Sequence, residues 1–191
     1  MVVMLWKFSL GNPAILNIYD GEGPMRPVTA LRREMDSLWA TEGPWTSRLL
    51  IIVNSASGSI EEGFSICEAT RDLPHRIKTH IEFAANGGSI IAMRAPLVDR
   101  SISEGGVFYA PSPRITRVEP MAKVNERFAD QFHRLQMVFS AMMGGDTVHW
   151  REKMEGNTYW DAALAVQERV VGEITTVTDL KKPWAPARQE R

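Results

Sequence analysis

Leu49-Leu-Ile-Ile-Val-Asn-Ser-Ala-Ser-Gly-Ser-Ile60 decides how the rest of the chain is read. Leu49 to Val53 is an unbroken apolar run rich in β-branched residues, the pattern of a strand covered on both faces. Small residues then turn the chain, and Ser59-Ile-Glu-Glu62 spells a capping box. That spelling predicts a helix from Ser59 to Leu73, stopped by Pro74. The same unit recurs one step later. Ile77, Thr79, Ile81 and Phe83 alternate with Lys78, His80 and Glu82, and Asn86-Gly-Gly88 opens an apolar helix continuing through Ser89 to Met93.

Working outward, Met1 to Leu10 and Ala14 to Tyr19 read as strands, the second ending in the turn Asp20-Gly-Glu-Gly-Pro24. The only charge in the first run, Lys7, lies inside it, and no small-residue cleavage site follows, so it is expected to be a strand rather than a signal peptide. Leu31, Met35, Leu38 and Trp39 have helical spacing, with Thr29 as the expected cap. Beyond Met93, residues 96–113 read as loop. Ala122 to Met143 is the longest helix, Asp161 to Arg169 a shorter one, and Val170 to Thr178 a closing strand. Alternating strands and helices imply an α/β fold with mostly parallel pairing and right-handed crossovers. One domain over residues 1–180 and a polar tail over 181–191 account for the chain, with no internal repeat.

Composition excludes several classes. Of 191 residues, 44% are hydrophobic and 24% charged, the balance of a globular protein with a real core. A net charge of -1 argues against nucleic acid as a partner. One cysteine, Cys67, leaves no disulfide framework and no cysteine-based zinc site, and points to a reducing, cytoplasmic setting. No apolar run is long enough to span a bilayer, so no membrane is expected. His75, His80, His133 and His149 are scattered without ligand spacing and read as surface residues, so neither metal nor cofactor is expected. Met137, Met142 and Met143 read as helix packing rather than as a plastic binding groove.

The chemistry is expected at the two turns. Small residues let a ligand approach the backbone, and N–H groups at a helix start point at a carbonyl oxygen placed between them. Ser57, Gly58 and Gly87 are the candidate oxyanion-type donors.

These turns resemble those of the Clp protease proteolytic subunit, ClpP, and of the ClpP-like head-maturation proteases of phages. The family's Asn-Ser-Pro-Gly-Gly corresponds to Asn54-Ser-Ala-Ser-Gly58, and its Ala-Ala-Ser turn with the following Ile-Ala-Met to Ala84-Ala-Asn-Gly-Gly-Ser-Ile-Ile-Ala-Met93. Val28-Thr-Ala30 looks like the start of the family's first helix. Met154-Glu-Gly-Asn-Thr-Tyr-Trp160 looks like the segment before its last helix, and the helix from Ala122 lies where ClpP has its handle helix. The resemblance runs from about residue 14 to residue 178 in unbroken order, at low identity. It implies a ClpP/crotonase-type α/β spiral of ββα units with a long projecting helix.

The resemblance also implies a Ser–His–Asp triad, and the chain departs from it at all three positions. The serine falls on Asn86, the histidine on Tyr109 and the acid on Asn157. An amide is not a nucleophile, a phenol with a pKa of about 10 is no base near pH 7, and a neutral amide cannot stabilise an imidazolium. The three are expected to hydrogen-bond one another in a degenerate site. Ser89, one helical turn past Asn86, is the alternative nucleophile, with His80 or Glu104 as its base; neither Lys78 nor Lys123 is placed for a Ser–Lys dyad.

The expected function is a ClpP-like protein without peptidase activity that serves as a structural or regulatory ring subunit. The alternatives are an active peptidase with a displaced site, taking a peptide or protein substrate, and a crotonase-type acyl-binding protein. The crotonase glutamates would fall on Ile90 and Ser112, so that acid–base pair is absent. The partners implied are further copies in a hexameric or heptameric ring, possibly stacked, and an active ClpP-like subunit or an AAA+ unfoldase. Val124, Phe128, Phe132, Leu135, Phe139 and Met142 form an apolar stripe on the long helix. With Arg127, Asp130 and Arg134 as a polar rim, the stripe is expected to be the ring interface.

Overall fold

The computed structural model describes residues 2–11, 13–24, 26–42, 48–71, 76–111 and 121–182. Leu73, Pro74, His75, Ser112 and the tail from residue 183 lie outside the described residues. So do the side chains of Leu38, Trp39, Lys123, Val124, Arg127 and Phe128.

The two quoted units form as expected. Strand β3 (Arg48–Ser55) runs into α2 (Ile60–Ala69), and β4 (Arg76–Ala84) into α3 (Gly87–Ala92). They follow β1 (Val2–Ser9), β2 (Ala14–Glu22) and α1 (Val28–Glu42), and precede β5 (Arg100–Tyr109). The remaining elements are α4 (Met121–Met143), α5 (Thr147–Glu155), β6 (Tyr159–Asp161), α6 (Ala162–Gln167), β7 (Glu173–Ile174) and α7 (Val177–Leu180). The sheet runs β1-β2-β3-β4-β5-β6, with β7 on β5. β2 to β5 pair in parallel, while β1 and β6 are antiparallel to their neighbours. The protein is therefore α/β with a mixed sheet.

The period of two decides which side of the sheet is filled. Trp6, Leu16, Ile18, Leu49, Ile51, Val53, Ile77 and Ile81 meet Leu31 and Met35 of α1, Ile66 of α2 and Ile90 of α3 in one continuous core. On the other side, Leu50 and Ile52 pack with Leu180 of α7, with Ile15 and Val177 beside them.

Several elements depart from the expected pattern. α1 begins at Val28, so Thr29 lies in its first turn and is not its cap. The Ser59 capping box with Glu62 is present, but α2 ends at Ala69 because the Thr70 hydroxyl folds back onto the carbonyls of Ile66 and Cys67. Residues 100–109 are a strand where loop was expected. Ile81 pairs with Ile102 and Phe83 with Val107, so Ser103 to Gly106 bulges out of the ladder and the strand continues past it. A Cβ on Gly106 would lie 2.8 Å from Ile81 O, so a glycine is needed where the chain rejoins β4. α5 was not anticipated. Asp161 caps α6 instead of starting it, and the expected closing strand is two residues followed by α7.

The apolar stripe of α4 turns inward. Leu135 and Phe139 are both 0% exposed within the chain's own core. Phe139 joins Phe108, Trp150 and Trp160 in an aromatic cluster with centroids 5.3–6.4 Å apart. Arg134, expected on a polar rim, lies over the Phe64 ring at 4.4 Å. At its described positions the stripe is intramolecular packing, and it gives no argument for a ring.

Candidate functional site

Parallel strands deliver their C-terminal ends to one edge, the place where open α/β sheets hold ligands. Here β3, β4 and β5 bring the Ser55–Ser59 turn, the Asn86 turn and Tyr109 to that edge. Tyr159 of β6 pairs with Tyr109, which carries Asn157 there too. The topology therefore collects Asn86, Tyr109 and Asn157 at one end of the sheet.

Asn86 occupies the sharpest point of that edge. Its backbone has φ 50° and ψ -120°, between a strand end and the first turn of α3. Non-glycine residues rarely enter this region, and those that do collect at functional turns, including the nucleophile elbow of serine hydrolases. The side chain does not cap α3. Its Nδ2 donates to Ala56 O at 2.8 Å, stapling the two turns together. Two backbone bonds reinforce the staple, Ala85 N–H to Ser55 O at 3.0 Å and Gly87 N–H to Gly58 O at 3.3 Å. The approach demands glycine, because a Cβ on Gly87 would lie 2.5 Å from Ser59 O.

The expected mutual bonding of the three positions is not present among the described residues. The Tyr109 ring is flanked by Phe83 and Tyr159, each with centroids 5.6 Å away. Asn157 is exposed, with φ 48°, just past the end of α5. This is the left-handed position that ends many helices and that asparagine tolerates, so the residue has a local structural reason to be there. Ser89 is fully buried, and its hydroxyl donates to Tyr109 O at 2.7 Å, tying α3 to β5.

His80 does not serve Ser89. It was expected at the surface, yet it is 0% exposed, with Nδ1 2.9 Å from Ser101 Oγ and Nε2 2.9 Å from Ser103 Oγ. Ser101 donates its hydroxyl proton to Thr79 O, so Nδ1 carries the ring proton and Nε2 accepts from Ser103. Burial pushes the imidazole pKa down to about 4, and the ring is neutral near pH 7. The geometry is that of a polar pin across the β5 bulge. Glu104, the other base considered for Ser89, is exposed.

The donors of the first turn are already engaged by Asp20, a residue with no motif around it in the sequence. Its carboxylate accepts from Ser55 Oγ at 2.6 Å, Ser57 Oγ at 2.5 Å, Ala56 N–H at 2.8 Å and Ser57 N–H at 3.3 Å. Burial raises the Asp20 pKa, but the Ser55, Ser57 and backbone hydrogen bonds outweigh it and hold the carboxyl below its usual range. Ser57 N–H is thus given to Asp20 and Gly87 N–H to Gly58 O, so neither is free for a substrate oxygen. Gly58 N–H has no acceptor among the described residues. The first turn is a nest that holds an anion, and the anion is the chain's own.

No group of three His, Cys, Asp or Glu among the described residues is arranged to hold a metal ion. No helix of the described residues is long and apolar enough to cross a membrane. A scan of protein-family models finds none that matches the chain, and no curated protein matches it.

Proposed function

We propose that this chain is a ClpP-like protein without serine peptidase activity, built on the ClpP/crotonase spiral with α4 as its handle-like helix. It serves as a structural or regulatory subunit, in a ring with its own copies or with an active ClpP-like subunit. The observation that carries this reading is the Asn86 elbow. A strained turn of this kind holds a nucleophile out of the strand in serine hydrolases, and here it presents a carboxamide that is hydrogen-bonded to Ala56 O. Ser89, the alternative nucleophile, is buried with its hydroxyl donating to Tyr109 O, and His80 is bonded elsewhere, so neither supports a displaced dyad. Occupation of the oxyanion-type turn by Asp20 points the same way.

The test compares the native chain with the triple change Asn86→Ser, Tyr109→His and Asn157→Asp. The native chain should resist a fluorophosphonate probe and leave fluorogenic peptides intact. In the triple variant the probe should label the residue introduced at position 86. Probe-sensitive peptidase activity in the native chain, lost on changing Ser89 but kept on changing Asn86, would overturn the reading. Native mass spectrometry at micromolar concentration tests the ring, and a monomer alone would remove that part of the proposal.

A further inference from the structure

Away from the sheet edge, the outer face of α2 forms the floor of an open groove of about 900 Å3 between α1 and α4. Among the described residues it is lined by four arginines, Arg32, Arg71, Arg94 and Arg134, against two glutamates, Glu61 and Glu68. This local excess of positive charge sits in a chain whose net charge is -1.

The arginines are not equivalent. Arg32 bonds to Asp36, and Arg71 pairs with Glu68 at 2.8 Å. Arg94 and Arg134 have no carboxylate partner among the described residues. Arg94 donates to Thr70 Oγ1 and Thr70 O at the C-terminal end of α2. Arg134 is exposed and rests over Phe64 in the middle of the same helix. The floor between the two arginines carries Phe64, Cys67 and Ala69, with Ser65 and Glu68 beside them. Cys67 contributes to it as a neutral thiol, since burial pushes its pKa up to about 12.

We propose that this groove binds an acidic peptide segment of a partner protein. One carboxylate would meet Arg134, a second would meet Arg94, and an apolar side chain between them would rest on Phe64 and Cys67. In an extended chain alternate side chains share a face, so carboxylates at i and i+4 with an apolar residue at i+2 present all three groups to the groove. Glu61 and Glu68 on the floor repel a dense polyanion and accommodate separated carboxylates. The proposal does not depend on whether the Asn86 site is catalytic.

The probe is a fluorescein-labelled octapeptide, Gly-Ser-Glu-Ser-Leu-Ser-Glu-Gly, titrated with the full chain and read by anisotropy. Saturable binding is expected, weakening as salt rises from about 50 to about 500 mM. Arg134→Glu should weaken it about tenfold or more, with the melting temperature preserved because Arg134 is exposed, and Arg134→Lys should restore most of it. Arg94→Gln should also weaken binding, and its melting curve shows whether loss of the Thr70 contact has unfolded α2. No saturation at millimolar concentration, or equal binding of a peptide with lysine for glutamate, would overturn the proposal. Indifference to Arg134→Glu would do the same. Displacement by tripolyphosphate at lower concentration than by unlabelled peptide would reassign the groove to a small polyanion. A concentration-dependent dimer lost in Arg134→Glu would reassign it to a second copy.

Discussion

Asn86 combines two effects that can be separated by substitution. Alanine would keep the unfavourable φ and lose the bond to Ala56 O, whereas glycine would lose the bond and relieve the backbone. Asn86→Ala should therefore cost about 1–3 kcal/mol in urea unfolding and Asn86→Gly clearly less. Equal losses would mean that the turn is unstrained. His80 gives a pH signature. Its folded pKa of about 4 lies below the unfolded value, so between those two values the unfolded chain binds a proton that the folded chain does not. Stability conferred by neutral His80 is complete above about pH 6.5 and is lost as pH falls through that window to about 4. The total is on the order of 3 kcal/mol. His80→Asn should flatten the fall in urea midpoint between about pH 7 and pH 5 relative to the native chain.

At the scale of elements, α2 carries the clearest local instruction. Ser59 and Glu62 close the capping box, and the residue after the cap, Ile60, is buried. Ser59→Ala should cost about 1 kcal/mol, read as a lower urea midpoint with unchanged m-value. The capping box was legible because both bonds are made within four residues. The bulged strand β5 was not, because Ser103 to Gly106 reads as a loop until β4 supplies the partner that β5 rejoins beyond it. The stripe of α4 was legible as apolar, but its partner was not. Periodicity identifies a face and says nothing of whether the same chain or another covers it.

For the molecule as a whole, Arg100 joins distant parts of the chain. It is 2% exposed and donates to Ala95 O at 2.6 Å, Val170 O at 3.2 Å and Met142 O at 3.1 Å. Burial lowers its pKa to about 10, which leaves it charged at neutral pH, and its charge is shared by three carbonyls. Arg100→Met would remove the donor from those carbonyls, with the bonds to Ala95 O and Val170 O buried, at a cost of about 2–5 kcal/mol. Hydrogen exchange should show the loss concentrated in the C-terminal half of α4 and in the segment before β7. Uniform loss across the sheet would contradict this linking role.

The sequence by itself determined the local units, because their causes are local: apolar alternation, a capping box, and small residues at two strand-to-helix turns. It also singled out Asn86, Tyr109 and Asn157 as positions to examine against a Ser–His–Asp pattern. Only the tertiary structure decided what those positions touch. Asn86 meets Ala56 instead of Tyr109 or Asn157, and Asp20 fills the turn of Ser55 to Ser57 from a strand that ended more than thirty residues earlier. His80 is drawn inward by two serines of β5. Contacts of this kind depend on which strand ends meet at one edge of the sheet. No residue's neighbours along the chain encode that meeting.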